Sequence, residues 1–215
     1  VAGLRHDKFD STTEQTDASK GAVYSNKTID NSASKTSGRL AAIYDFDNGF
    51  SPYASYSQSF QPVVGSNFVT NKAFEPTTAD QLEAGIKYLS PDRATQGTLA
   101  VFDITQKNVV VADEISYRSQ TQTGEITSIR FEVSGSHMLS DWVDIAASYS
   151  YTDAEITEDE FNPDVVGNTP AQTAKHKATL WADYYATDKL TLNAGVRYED
   201  GMQLDKQNSD ELPSV

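Results

Sequence analysis

The sequence predicts an all-β protein, an antiparallel transmembrane β-barrel segment of about nine strands with alternating short and long loops. Three observations predict it. Apolar and polar residues alternate with a period of two through much of the chain. Tyrosines close the apolar faces of several of these segments, and the connections between them alternate between short and long.

Strands are expected at 1–9, 38–46 and 51–60, where the alternation is less regular. In the next, Leu82, Ala84, Ile86 and Tyr88 alternate with Gln81, Glu83, Gly85 and Lys87. A strand over 96–105 carries apolar residues on both faces, Leu99 and Val101 against Ala100, Phe102 and Ile104, so its outward side stays open. Ile129, Phe131 and Val133 then alternate with Arg130, Glu132 and Ser134. Val143, Ile145, Ala147, Tyr149 and Tyr151 alternate with Asp144, Ala146, Ser148, Ser150 and Thr152. Ala178, Leu180, Ala182 and Tyr184 oppose Lys177, Thr179, Trp181 and Asp183. The last strand is the most regular: Leu190, Leu192, Ala194, Val196 and Tyr198 on one face, Thr191, Asn193, Gly195, Arg197 and Glu199 on the other.

Most of these segments are close to the roughly 9–11 residues that a tilted strand needs to cross a bilayer. Tyr44, Tyr88, Tyr149, Tyr151, Tyr184 and Tyr198 stand where aromatic girdles meet the water–lipid boundary. Charges on the opposite faces suit a hydrated or plugged interior. Asp47-Asn48-Gly49-Phe50, Ser90-Pro91-Asp92-Arg93-Ala94, Leu139-Ser140-Asp141 and Ala186-Thr187-Asp188-Lys189 read as tight turns. Long polar loops are expected at about 10–37, 61–77, 106–124, 153–174 and 200–215, all at one rim. Period-two strands also build sandwiches and soluble barrels, but a soluble sandwich has no reason to gather its long loops at one end.

Composition narrows the function. The net charge of -14 opposes binding to nucleic acid, so no nucleic-acid partner is expected. The absence of cysteine removes disulfides, thiolate metal sites and cysteine nucleophiles. An aromatic content of 10% argues against an acidic disordered chain. No apolar run reaches the length of a transmembrane helix. The chain opens at Val1 without an initiator Met or signal segment, and both ends read as cuts from a longer protein.

Four stretches resemble the carboxy-terminal half of TonB-dependent siderophore receptors, closest to the ferrichrome-type group. They are Phe50-Ser51-Pro52-Tyr53-Ala54-Ser55-Tyr56-Ser57-Gln58-Ser59-Phe60; Phe74-Glu75-Pro76-Thr77 through Lys87-Tyr88; Gln122-Thr123-Gly124-Glu125 through Glu155-Ile156; and Gly167-Asn168-Thr169-Pro170, His176 and Leu180-Trp181-Ala182-Asp183-Tyr184. The likeness covers most of 38–199, with two departures. Ile129-Arg130-Phe131 stands before Glu132 where relatives often have a basic residue and Gly, and His6 stands where an aromatic is usual. The resemblance implies a 22-stranded barrel in the outer membrane of a Gram-negative bacterium. It also implies an amino-terminal plug, a TonB-contacting segment and last strands that are missing here. Residues 1–215 are thus expected to be a partial barrel domain.

The implied function is binding of ferric siderophores and their import with TonB-supplied energy. The expected partners are outer-membrane lipid, the ferric siderophore, and the TonB complex through the missing plug. The siderophore is the transported ligand, no cofactor is expected to be bound directly, and no catalysis is expected. The alternatives are a passive porin-like or adhesin-like barrel, and a soluble secreted β-domain binding glycans.

The motifs add little chemistry. His6, His137 and His176 match no metal spacing, and the acidic run Glu155–Glu160 lacks the glycine and ligand spacing of a calcium loop. His176 is expected at a strand start and His137 near a short turn. Asp183 and Glu199 suit interior ion pairs with Lys177 or Arg197 better than acid–base catalysis. Asn26-Lys27-Thr28 fits a glycosylation sequon that has no meaning in a bacterial outer membrane. Ligand-binding candidates are the external-loop aromatics Phe68, Phe74, Tyr117 and Phe161, whose rings could hold a siderophore's apolar scaffold. The bland reading is that they pack loop against loop.

Overall fold

The computed structural model describes all residues except 20–21, 67–71, 113–119 and 160–161, and no side chain within 15–27, 111–121 or at 123. Nine antiparallel strands form one sheet in chain order. They are β1 (Ala2–Ser19), β2 (Ala22–Ile43), β3 (Phe50–Gln61), β4 (Thr77–Leu89), β5 (Thr95–Ala112), β6 (Gln120–Ser140), β7 (Val143–Glu158), β8 (His176–Thr187) and β9 (Leu190–Glu199). A two-residue ladder, β10 (Met202–Gln203) with β11 (Glu211–Leu212), follows. A short 3-10 turn at Pro163–Val165 is the one helical element among the described residues. Each strand pairs with its sequence neighbours, as a meander must when turns are too short for a crossover.

Register assigns the faces. Residues directly opposite each other share a face, so each row of partners reads across the sheet. One row runs Pro52, Ile86, Leu99, Val133, Tyr149, Ala178, Tyr198. The row of opposite face, one residue along, runs Ser51, Lys87, Thr98, Ser134, Ser148, Thr179, Arg197. The first face is apolar and the second is hydroxyl-rich and charged. The same rows resolve the side left open in β5. Leu99 and Val101 share the apolar face with Ile86 and Val133, whereas Ala100, Phe102 and Ile104 join Gly85, Glu83 and Gln81 on the polar face.

The polar face is the concave one. Ser51, Lys87, Thr98, Ser134, Ser148 and Thr179, from six successive strands, line a single hollow of about 730 Å³. On the convex face, Leu82, Leu180, Leu192 and Val196 are more than two-fifths exposed, which only an apolar surrounding would favour. Aromatic residues border this band at both rims. Phe50 and Tyr88, with ring centroids 4.6 Å apart, and Tyr44 and Phe46, 4.8 Å apart, stand towards the short turns. Tyr149, Tyr151 and His176 cluster towards the other rim, with Tyr149 Oη 2.9 Å from His176 Nδ1. Between Leu190 and Tyr198, nine residues tilted as barrel strands are would rise about 23 Å, close to the apolar band of such barrels.

The short turns hold as expected at 44–49, 90–94, 141–142 and 188–189. Gly49 takes φ +88°, which lets the chain reverse while its carbonyl accepts from Leu89 N at 2.9 Å.

The expected long loops need correction. Most of 10–37 is strand: β1 and β2 stay paired from Ala2↔Leu40 out to Ser19↔Ala22. Likewise β5 and β6 stay paired to Ala112↔Gln120, and β7 runs on to Glu158. In β1 and β2 the extension is largely polar on both faces, and in β5 the run Val109-Val110-Val111-Ala112 is apolar without a break, so neither shows an alternation. They are β-arms held by the backbone ladder and by bonds such as Thr12 Oγ1 to Asp30 Oδ1 (2.8 Å) and Ser32 Oγ to Asp10 Oδ1 (2.7 Å).

Edge strands β1 and β9 bound the sheet. Glu199 and Val215 exchange both backbone hydrogen bonds at 2.8 and 2.9 Å, adding one rung beyond β9.

Candidate functional site

Two regions could carry function: the concave polar face and the rim that bears the long connections. On the concave face the rows bring cations and anions together in register. Lys177 Nζ reaches Glu199 at 2.6 Å, and Arg197 also pairs with Glu199. Arg130 pairs with Glu132 at 2.6 Å. Tyr53 donates to Glu83 at 2.6 Å while Lys87 Nζ stands 5.1 Å from the Tyr53 ring centroid. Asp183 accepts from Asn193, so the expected interior pairing of Glu199 is present and Asp183 is engaged by an amide. These contacts satisfy charge and leave no nucleophile–base pair arranged for chemistry among the described residues. The hydroxyls of Thr98, Ser134, Ser148 and Thr179 make the middle of this face small and polar, and Ser148 and Thr179 stand 2.7 Å apart.

At the far rim, Phe74 is the one aromatic candidate within the described residues, and it is 3% exposed. Its N–H donates to Gly65 O at 3.1 Å and its carbonyl accepts from Asn31 Nδ2 at 3.0 Å. Its ring lies against Gly65, whose φ of +124° and missing Cβ allow the approach. Phe74 thereby ties the 62–76 connection to the β1–β2 arm. Phe68, Tyr117 and Phe161 lie outside the described residues.

The neighbouring connections are stitched to one another. Gln122 accepts from Glu75 N at 2.9 Å and donates to Glu75 O at 2.7 Å and to Asn108 O at 2.9 Å. Thr77 Oγ1 donates to Asn108 O at 2.8 Å. Asn108 tolerates a φ of +58°, a conformation that asparagine adopts more readily than most residues. Lys107 and Glu125 pair at 2.9 Å, and Thr157 adds a bond to Glu125 at 3.0 Å. The Lys107 ammonium first, and then the Thr157 hydroxyl, hold the Glu125 carboxyl below its usual range, and Glu125 raises Lys107 in turn.

A second body joins the β7–β8 connection to the chain after β9. Lys206 Nζ lies 3.3 Å from Asp159 Oδ2, with the two side chains 11% and 0% exposed. Asn208 donates to Thr169 O at 2.8 Å and accepts from Thr169 N at 3.0 Å, and Asn168 donates to Lys206 O at 3.0 Å. Ile156, Val165 and Ala174 are buried alongside. Asp205 accepts from the Ser209 hydroxyl at 2.6 Å and from two backbone N–H groups, which hold its carboxyl below the usual range. The sequence reading missed this interlock. Asp159 and Lys206 are 47 residues apart, and neither sits in a periodic pattern.

His176 opens β8 and His137 lies three residues before the end of β6, as expected. Among the described residues, no group of three or more His, Asp or Glu is placed to hold a metal ion.

Comparison with known proteins bears on this geometry. The family model described as TonB dependent receptor-like, beta-barrel matches residues 1–215. The chain is 41% identical over 172 residues to the ferrichrome outer membrane transporter/phage receptor of Escherichia coli K12, covering 77% of this chain and 22% of that protein. It is 36% identical over 182 residues to the ferrioxamine B receptor of Salmonella typhimurium, covering 82% and 25%. The crystal structure of the siderophore receptor PiuA from Acinetobacter baumannii superposes with a TM-score of 0.81 at 26% identity, covering 100% of this chain and 32% of that one. The chain therefore spans about a quarter of the length of the curated relatives it matches.

Proposed function

The chain belongs to the TonB-dependent receptor β-barrel family of the Gram-negative outer membrane, and from that premise we propose that it serves the uptake of ferric siderophores. The observation that carries the reading is the division of one sheet into two unlike faces. An apolar convex face bordered by aromatics meets lipid, and a polar concave face meets the interior through which cargo and a plug would pass.

In this reading the rim of long connections is external and presents the ferric siderophore to the interior. The arms β1–β2 and β5–β6 stand above the membrane, and the stitched connections around Phe74, Gln122 and Lys206 fix their shape. Of the four aromatic candidates, Phe68, Tyr117 and Phe161 remain the proposed ring contacts for the siderophore scaffold, and the buried Phe74 acts from inside its loop by holding that loop's form. The iron stays chelated by the siderophore, and no catalytic residue is required. Residues 1–215 form part of the barrel, which a plug and further strands would complete. Pairing of β1 and β9 with further strands matters physically, because open edges would leave backbone groups unsatisfied in lipid. Energy would reach the plug through the TonB complex.

Two of the relatives are named for ferrichrome and ferrioxamine, so the test begins with these cargoes. The full-length receptor is expressed in a strain lacking its own receptors, and uptake of radioiron bound to each siderophore is followed. Uptake that saturates and stops when TonB is deleted is expected. Uptake that is linear in concentration and indifferent to TonB would instead support a passive pore.

A further inference from the structure

A second hollow, of about 370 Å³, lies on the convex face. It forms where the side chains are smallest. In one row Gly97, Gly135 and Ala147 stand side by side between Tyr88 and Leu180. Val133, Ile145 and Tyr149 wall the dip. Towards the short turns its lining becomes polar. Thr95 and His137 face each other there, Oγ1 to Nδ1 at 2.8 Å. Beyond them, in the 90–94 turn, the Asp92 carboxylate accepts from Ser90 Oγ at 2.5 Å and Ala94 N at 3.0 Å. These two bonds hold the Asp92 carboxyl below its usual range.

We propose that this hollow binds one phospholipid of the inner leaflet, with an acyl chain over Gly135 and Ala147 and a zwitterionic headgroup between Asp92 and His137. The proposal rests on the reading of the convex face as lipid-facing. Three arguments carry it. Val133, Ile145, Ala147 and Tyr149 give the hollow an apolar wall among smaller and polar neighbours, and it opens on a face with no protein cover among the described residues, so an acyl chain gains dispersion contacts that a smooth wall would not offer. Its polar end lies at the short-turn rim, which in such barrels is periplasmic, the side of the phospholipid leaflet rather than the lipopolysaccharide one. Finally, the His137 ring at the polar end of the hollow and the Asp92 carboxylate in the adjoining turn suit a headgroup carrying both an ammonium and a phosphate better than a purely anionic one.

Native mass spectrometry of the detergent-solubilised full-length receptor, with phosphatidylethanolamine or phosphatidylglycerol added, tests this. One phosphatidylethanolamine should be retained in preference. Ala147→Phe, which fills the hollow, should lower its retention about tenfold, since each displaced methylene weakens the hold. Val196→Phe, in the same row but outside the hollow, should leave it unchanged. Should Ala147→Phe fail to assemble, His137→Asp at an exposed position sets a carboxylate against the phosphate and should lower retention as well. Equal retention of the two lipids, or retention by both Ala147→Phe and His137→Asp like the parent, overturns the proposal. A receptor that stays monomeric without detergent would instead sink the reading of the face itself, so the two failures are distinguishable.

Discussion

The indole of Trp181 covers Gly195, its direct partner on the next strand, so closely that a methyl group on Gly195 would clash with the face of the ring. Tyr53 lies over Gly85 in the same manner, 2.8 Å from where a Cβ would stand. In both pairs an aromatic side chain replaces the packing that a strand glycine lacks.

Gly195→Ala should therefore displace the indole and destabilise the barrel by about 1–3 kcal/mol. The displacement is readable in the full-length receptor as a change in the emission of Trp181, taken as the difference between spectra with and without Trp181→Phe. Urea unfolding in lipid vesicles gives the stability change. Unaltered emission and stability would mean that the ring does not rest on Gly195 in the assembled barrel.

The interlock of the β7–β8 connection with the chain after β9 should loosen when one partner of its buried ion pair is removed. Lys206→Ala removes a cation held against Asp159 inside the fold, a loss of a charge-assisted bond that costs about 1–3 kcal/mol. Hydrogen exchange should rise over 163–174 and 202–212 together, and not in β4 or β5. Lys206→Met combined with Asp159→Asn should recover part of the protection, because both charges of the pair are then removed together. Exchange rising in only one of the two segments would show that they are not one body.

The β5–β6 arm should respond to pH through Lys107 and Glu125. Glu125 has a lowered carboxyl, so its contribution is present above the unfolded carboxylate range and is lost as pH falls through its lower folded value. Lys107 is raised, so its contribution is present below the unfolded lysine range and is lost as pH rises through its higher folded value. The arm is held between these limits. Limited proteolysis within 106–126 should be slow at neutral pH and accelerate in acid. In Glu125→Gln that acid-dependent step should shrink. High salt should weaken the pair, because Lys107 is half-exposed.

The strands through the bilayer were legible because lipid and interior impose opposite demands on alternate residues. Leu190 to Tyr198 is the plainest case. The alternation failed to assign β5, because Phe102 and Ile104 are apolar yet share the inner face with Glu83 and Gln81. Only register to β4 and β6 decides that side. It failed for the β1–β2 arm, whose two faces are both largely polar, and 10–37 therefore reads as loop. The rim contacts were not legible either. Phe74 could be named as an external aromatic, but its burial against Gly65 depends on Asn31, 43 residues away.

The division of faces makes its sharpest demand on two adjacent residues. Leu180 lies in the convex row between Ala147 and Val196, and Thr179 in the concave row between Ser148 and Arg197. Leu180→Lys sets an ammonium in the apolar band, where a barrel loses about 2–4 kcal/mol at mid-depth. Thr179→Lys sets the same ammonium over a hydrated hollow beside Arg197, where repulsion between two cations in a polar setting costs on the order of 1 kcal/mol. Folding of the full-length receptor into vesicles, followed by urea unfolding, should show the first variant much the weaker. The difference does not depend on helix or strand propensity, because the two positions share one strand and receive one side chain. Equal destabilisation would mean that lipid does not cover the convex face. The reverse order would place the membrane on the wrong side of the sheet.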